Sequence, residues 1–185
     1  MIPAPVALHA LREGNRRFVS ELKLGAGVSR ARRHELPAGQ QEPLAIILGC
    51  SDARVPAEIV FDQGLGDLFV IRVAGNIVAP SGIGSVEFAA EAFGTRLVVV
   101  LGHSNCGAVH ATLQQLARPW REQSRNLRSI VDRIRPAVEG LLQGAAQDPA
   151  ALEQLILKDG LVVVGAEYSL ETGVVEFFDG VPATA

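Results

Sequence analysis

Apolar runs recur along the chain and predict a central β-sheet. The runs that end at Gly49 and Gly102 are continuous and consist mainly of leucine, isoleucine and valine. Apolar runs without polar alternation indicate strands covered on both faces, as in a parallel sheet. We predict strands at residues 44–48, 68–73, 97–101, 161–165 and 174–178. The last two flank a turn at 171–173 and should pair as an antiparallel hairpin at the sheet edge.

Helical periodicity fills most of the intervals between these runs. The spacing of Leu8, Leu11 and Leu22 predicts an amphipathic helix over residues 6–22. A second predicted helix, 81–93, places Val86, Ala89 and Phe93 on one face and stops at Gly94. The polar, basic stretch 23–42 should form a loop or a short helix. The predicted helices span residues 6–22, 81–93, 106–116, 124–142 and 148–159. Strands alternating with helices indicate an α/β fold, with a mostly parallel central sheet, flanking helices and an antiparallel edge hairpin.

Length and composition favour one aliphatic domain. The 185 residues suit a single domain, 1–185, with an N-terminal helix and arm at 1–42 and an α/β core at 43–185. A net charge of −3 gives no reason to propose a nucleic-acid or membrane partner. No apolar stretch approaches the ~20 residues that span a bilayer. Residues 1–5 lack the pattern of a signal peptide, so we expect a cytoplasmic protein.

Three residues at the ends of predicted strands carry the candidate chemistry. Cys50 follows the first apolar run, and His103 and Cys106 follow the third. Ligands bind beyond the carboxyl ends of strands in an open α/β sheet. Two thiolates and one imidazole there would hold zinc with its fourth position open, as catalytic zinc sites do. The alternative is a Cys50–Cys106 disulfide, which we disfavour because free thiols outside the secretory pathway are more often metal ligands.

An acidic and a basic residue follow the first cysteine closely. Asp52 lies two residues after Cys50, near enough to ligate the metal or to accept a hydrogen bond from metal-bound water. Arg54 could hold that carboxylate through a paired, charge-assisted contact. The alternative for Asp52 and Arg54 is a solvated ion pair on a surface turn.

These motifs resemble those of the β-class carbonic anhydrases. The resemblance rests on CSDAR at 50–54 followed by VPAE at 55–58, and on GHSNCG at 102–107. It extends to FDQGLGD at 61–67, RVAGN at 72–76 and GAEY at 165–168, and it covers most of the chain. A lone His-x-x-Cys motif would be weak, but two cysteine motifs in order are specific.

The resemblance implies a lyase with carbonate dehydratase activity, which hydrates carbon dioxide reversibly to bicarbonate and a proton through zinc-bound hydroxide. Cys50, His103 and Cys106 match the ligands of one Zn²⁺ per chain. Asp52 matches the aspartate that orients the hydroxide, and Arg54 matches the arginine that positions this aspartate. In a closed state, Asp52 would be the fourth zinc ligand. The match also implies a homodimer or a higher homo-oligomer.

Five further residues match substrate-binding positions of the family. Gln41 matches a glutamine that often reaches the substrate from the partner subunit, and the alternative is a polar loop residue. The others match positions that line an apolar pocket for carbon dioxide: Phe69, Ala74, Phe88 and Gly107. For Ala74 and Phe88, an ordinary core position is an equal alternative.

Two other functions fit the same ligands. Relatives of this fold hydrolyse carbonyl sulfide or carbon disulfide, and sequence separates these activities poorly. A catalytically silent zinc-binding module is the second alternative, although such a module would not need Asp52, Arg54 and Gln41. The chain also departs from members that bind bicarbonate at a second, inhibitory site. Arg72 and Tyr168 match two residues of that site, but Ile47 stands where those members have tryptophan.

Overall fold

The computed structural model of the chain describes residues 1–22, 29–36, 41–117, 124–143 and 160–182. Its helices are α1 (Ala4–Val19), α2 (Arg30–Glu35), α3 (Ala57–Val60), α4 (Pro80–Ala92), α5 (Gly107–Ala117) and α6 (Arg125–Gln143). Its strands are β1 (Ala45–Cys50), β2 (Leu68–Val73), β3 (Leu97–His103), β4 (Val162–Tyr168) and β5 (Val175–Asp179). A 3₁₀ turn, Ala74–Asn76, follows β2. The predicted helix at 148–159 lies outside the described residues.

The five strands form one sheet in the order β2-β1-β3-β4-β5. β1 pairs in parallel with β2 and β3, and β3 pairs in parallel with β4. β5 returns antiparallel to β4 at the edge. The mostly parallel sheet with an antiparallel edge hairpin is therefore confirmed. The crossover helices follow from this topology, because parallel neighbours cannot be joined by a tight turn.

The two faces of the sheet bury different helices. α1 packs Leu8 and Leu11 against Ile47, Val99 and neighbouring side chains on one face. On the other face, α4 packs Val86 and Ala89 against Ile46 and Val98. Alternate residues of β1 point to opposite faces, so its uninterrupted apolar run supplies both cores. The predicted face of α4 is thus confirmed.

Two elements differ from the expectation in detail. β2 is half-buried rather than fully covered, because it is the edge strand beside β1 in the described chain. Within the basic stretch 23–42, the described residues form the short helix α2, which begins at the N-cap Ser29. Arg32 of α2 donates to the carboxylate of Asp67 at 3.1 Å and so attaches this arm to the turn before β2.

Candidate metal centre

The centre lies where two neighbouring parallel strands end. Cys50 is the last residue of β1 and His103 is the last residue of β3. Cys106 lies in the turn between β3 and α5, and all three residues are buried. Their ligand atoms lie within 4.8 Å of one another, which is close enough for all three to bind one metal ion. Both cysteines are free, so the structure contains no disulfide between Cys50 and Cys106.

His103 is held in the tautomer that a metal ligand requires. Its Nδ1 lies 2.9 Å from the carbonyl oxygen of Ser104. A carbonyl oxygen only accepts hydrogen bonds, so Nδ1 carries the proton and Nε2 presents its lone pair. Nε2 is buried and has no hydrogen-bond partner among the described residues. An unpartnered buried nitrogen facing two thiols fits zinc, which accepts nitrogen and sulfur ligands in tetrahedral sites.

The two cysteines have different surroundings. The backbone N–H of Gly75 donates to Cys50 Sγ at 3.2 Å and so helps to fix the position of this sulfur. Gly75 adopts a φ of +70°, a conformation that favours glycine. Burial raises the pKa of the Cys106 thiol above its ordinary value. A bound cation would reverse that effect, because metal binding requires the thiolate.

Asp52 and Arg54 form a paired contact beside these ligands. Arg54 Nε donates to Asp52 Oδ1 at 2.9 Å, and a terminal guanidinium nitrogen donates to Oδ2 at 2.6 Å. The backbone N–H of Arg54 also donates to Oδ1 at 3.0 Å. These hydrogen bonds hold the pKa of the Asp52 carboxyl well below its usual range. Asp52 Oδ2 lies 3.9 Å from His103 Nε2, so the ionised carboxylate borders the ligand cluster.

Two arginines brace the loops that carry the ligands. Arg72 of β2 donates to the carbonyl oxygens of Cys50 and Asp52, at 2.9 and 2.6 Å. Arg54 also donates to the carbonyl oxygen of Asn105, at 3.3 Å, and thereby joins the loop after β1 to the turn after β3.

Arg72 matches a residue of the inhibitory bicarbonate site, but here it supports the backbone around Cys50. Ile47 is fully buried in the core on the α1 side of the sheet.

The five predicted substrate-binding residues separate into two groups. Ala74 directly follows Val73, the β2 residue that pairs with Cys50, and Gly107 directly follows Cys106. Both therefore lie beside the ligands, and no atom within 4 Å would meet a Cβ at Gly107. Phe69 instead pairs with Ile46, four residues before Cys50. At ~3.3 Å per residue, that separation is about 13 Å along the strand.

The remaining two residues lie with Phe69, away from the ligands of their own chain. Gln41 is exposed and precedes the start of β1, the end opposite Cys50. Phe88 on α4 contacts Phe69, with ring centroids 6.4 Å apart, and is 55% exposed. The structure therefore does not bring Gln41, Phe69 and Phe88 to the metal centre of the same chain.

Sequence reasoning missed two supporting groups. One is the Gly75 N–H, which belongs to the backbone and leaves no side-chain signal. The other is Ser104, whose N–H donates to the Tyr168 carbonyl at 3.0 Å and whose Oγ accepts from the Leu170 N–H at 3.0 Å. These bonds fix the peptide that orients His103. Their partners lie more than 60 residues away, so no local pattern could identify them.

Comparisons with known proteins agree with this geometry. The family model described as carbonic anhydrase matches residues 45–158. Carbonic anhydrase 2 of Mycobacterium tuberculosis is 38% identical, over 91% of this chain and 90% of that protein. A carbonic anhydrase of Mycolicibacterium smegmatis is 45% identical, over 72% and 65% respectively. The solved structure of a Coccomyxa β-carbonic anhydrase in complex with acetazolamide superimposes with a TM-score of 0.64 at 25% identity, over 92% and 86% of the chains.

Proposed function

The chain belongs to the β class of the carbonic anhydrase family, and from this premise we propose how its residues carry out the zinc-dependent, reversible hydration of carbon dioxide to bicarbonate and a proton. The observation that carries the proposal is the cluster of Cys50 Sγ, His103 Nε2 and Cys106 Sγ with the Asp52–Arg54 pair at its side. Cys50, His103 and Cys106 would hold one zinc ion. When bound, zinc supplies Lewis acidity that lowers the pKa of a coordinated water to about 7.

Asp52 orients the attacking oxygen in this proposal. Its carboxylate stays ionised and therefore only accepts hydrogen bonds. Oδ2 would accept a hydrogen bond from the O–H of the attacking group. A lone pair on the attacking oxygen would then be free to face the carbon of the substrate. Arg54 fixes both carboxylate oxygens, so Asp52 does not occupy the fourth ligand position itself. If Arg54 withdrew from this pair, the Asp52 carboxylate would be free to bind the metal. That arrangement is the closed state.

The substrate pocket needs a second copy of the chain in this proposal. Ala74 and Gly107 lie at the metal centre of their own chain, whereas Gln41, Phe69 and Phe88 lie near the other end of β1. A partner subunit could supply these three side chains to the pocket. The exposed ring of Phe88 and the half-buried edge strand β2 support this arrangement, because both leave apolar surface to cover. We therefore propose a homodimer or a multiple of one as the active form.

We also propose that the protein is located in the cytoplasm. Cys50 and Cys106 are free thiols poised to bind a metal. Reducing compartments keep such thiols available, whereas oxidising ones favour disulfides. Among the described helices, none is both long and apolar enough to cross a membrane.

Stopped-flow carbon dioxide hydration tests the proposed function directly. Zinc-loaded protein should hydrate carbon dioxide, chelator-treated protein should not, and re-addition of zinc should restore the rate. Carbonyl sulfide should be a poor substrate in parallel assays. Preferential turnover of carbonyl sulfide would replace the substrate assignment. Stoichiometric zinc without turnover of either substrate would identify a zinc-binding module instead.

A further inference from the structure

An apolar cavity lies on the α4 face of the sheet, the face to which Cys50 also points. Leu48, Val98 and Val100 form part of its floor, and Gly82 and Val86 of α4 form part of its wall. Leu48 pairs with Val100 across β1 and β3. Leu48 also lies two residues before Cys50, so both side chains point to the same face of β1. The lining of the cavity therefore includes a residue two positions before Cys50, a proposed zinc ligand.

The cavity is suited to an apolar molecule rather than to water. Its volume is about 30 Å³. A single water needs about 10–15 Å³ on this measure, together with two to four polar partners. No polar atom of the described residues lines the cavity, so water would lose hydrogen bonds on entering it. An anion such as bicarbonate would be excluded more strongly, because nothing there compensates for the loss of its hydration.

One lining residue of the cavity lies at the surface of the described chain. Val78 contributes to its lining and is 45% exposed, whereas Leu48 at the inner end is 5% exposed. The lining thus extends from a surface position to the strand position nearest Cys50. A small molecule that entered beside Val78 would meet only apolar lining as far as Leu48, two residues before Cys50.

We propose that this cavity binds carbon dioxide on its way to the metal centre, which rests on the proposed function. Carbon dioxide is linear, has no net dipole and needs no hydrogen-bond partner, so it matches both the size and the lining of the cavity. The same lining rejects the charged product. Substrate would reach the centre from the sheet side, whereas bicarbonate would leave through solvent beside Asp52 and Arg54.

Two glycines of α4 provide a matched pair of variants. A Cβ at Gly82 would project toward the cavity and meet Leu48 Cδ1 at 3.9 Å, an ordinary contact without strain. A Cβ at Gly84 would meet no atom within 4 Å. Both substitutions to alanine raise helix propensity, by up to about 1 kcal/mol. Gly82→Ala therefore narrows the cavity, and Gly84→Ala is the control for replacing a glycine of α4 without filling the cavity.

The first measurement is gas binding in crystals of the metal-free and zinc-loaded protein, pressurised with xenon or with carbon dioxide. Wild type and Gly84→Ala should show density for both gases between Leu48 and Gly82. Gly82→Ala should lower xenon occupancy about tenfold, the effect of one added methyl group in a small apolar pocket. Absence of gas density from the wild-type cavity, or its persistence unchanged in Gly82→Ala, would overturn the proposal.

The second measurement is stopped-flow hydration by the zinc-loaded proteins. Gly82→Ala should lower kcat/KM for carbon dioxide several-fold and leave kcat near the wild-type value, since only access is changed. Gly84→Ala should match wild type. Equal kcat/KM in the two variants, despite gas binding, would show an inert void and overturn the proposal. If wild type itself fails to hydrate carbon dioxide, the proposed function fails, and gas binding in metal-free crystals still decides whether the site exists.

Discussion

At the residue scale, the metal centre depends on a few atoms whose chemistry is set by their immediate contacts. The Ser104 carbonyl assigns the proton of His103 to Nδ1. Gly75 N–H donates to Cys50 Sγ, and Arg54 occupies both oxygens of Asp52. Hydrogen bonds thus fix Cys50, His103 and Asp52, and such bonds around the ligands tune a zinc site.

Cys106→Ser should remove most bound zinc and abolish activity, because a neutral hydroxyl replaces a thiolate ligand. The loss of affinity should exceed the roughly 10–100-fold that removal of an outer hydrogen-bond partner costs. Zinc content after dialysis and a competition titration with a chelator measure it. Far-ultraviolet circular dichroism controls for folding. Full zinc stoichiometry in a folded Cys106→Ser protein would remove Cys106 from the ligand set.

Arg54→Ala should lower kcat/KM about 100-fold with zinc fully bound, because a freed Asp52 carboxylate no longer keeps its position. Arg128→Ala, at an exposed arginine of α6, is the matched control and should retain activity. A crystal structure at pH 7.5 gives a direct view. We expect the wild-type site to be open and the Arg54→Ala site to shift toward Asp52 ligation. An Asp52 oxygen within about 2.2 Å of zinc in wild type would contradict the open site.

At the scale of elements, the ends of β1 and β3 create the site and the helices hold those strands in place. Parallel pairing brings both carboxyl ends to the same edge of the sheet. α1 packs against α3 so closely that a Cβ at Gly14 would overlap the carbonyl group of Phe61. Nearby, the Asn15 side chain of α1 donates to the carbonyl oxygens of Val60 and Gly173 and accepts from the N–H of Val175. α1 therefore fastens the loop after β1 and the β4–β5 hairpin together.

Gly14→Ala should destabilise the protein by about 1–3 kcal/mol, because the added methyl group forces α1 away from α3. Helix propensity alone predicts the reverse, a gain of about 1 kcal/mol. Gly84→Ala, in open space on α4, should show that gain. Urea unfolding of the two variants and wild type measures the free energies. Equal stabilisation by both substitutions would show that the α1–α3 contact is looser than described.

At the scale of the whole molecule, one chain contains the metal ligands but separates them from part of the predicted pocket. Gln41, Phe69 and Phe88 lie toward the amino end of β1, whereas Cys50 lies at its carboxyl end. In the proposed dimer, a two-fold related partner would bring both groups together, because an isologous interface lets each chain complete the other. The proposed activity is in that case a property of the dimer.

Dilution below the dimer dissociation constant should abolish turnover before the chain unfolds. Phe88→Ala should weaken the dimer and lower activity in parallel. Phe178→Ala, at a phenylalanine of β5 that is 69% exposed, should leave both the dimer and its turnover unchanged. Light scattering coupled to size exclusion, with activity measured on the same fractions, tests this. A monomer with full activity would show that one chain builds the whole pocket.

The sequence by itself determined the features that depend on local chemistry and periodicity. Apolar runs and one turn predicted all five strands, and strand–helix alternation predicted a mostly parallel sheet, because these properties follow from burial and chain connectivity. Cys50, His103 and Cys106 were identified because ligand types stand directly after strands. Arg54 was paired with Asp52 because it lies only two positions further along the chain, and the structure contains that pair.

Only the tertiary structure decided what depends on contacts between distant segments. It showed that β2 lies at an edge, that Gly14 touches Phe61, and that Gly75 donates to Cys50 across 25 residues. It also showed that Phe69 lies about 13 Å from Cys50 along the strands, a distance set by register. Backbone donors, packing distances and cavities leave no residue-type signal in a single sequence. They arise only when the chain brings remote positions together.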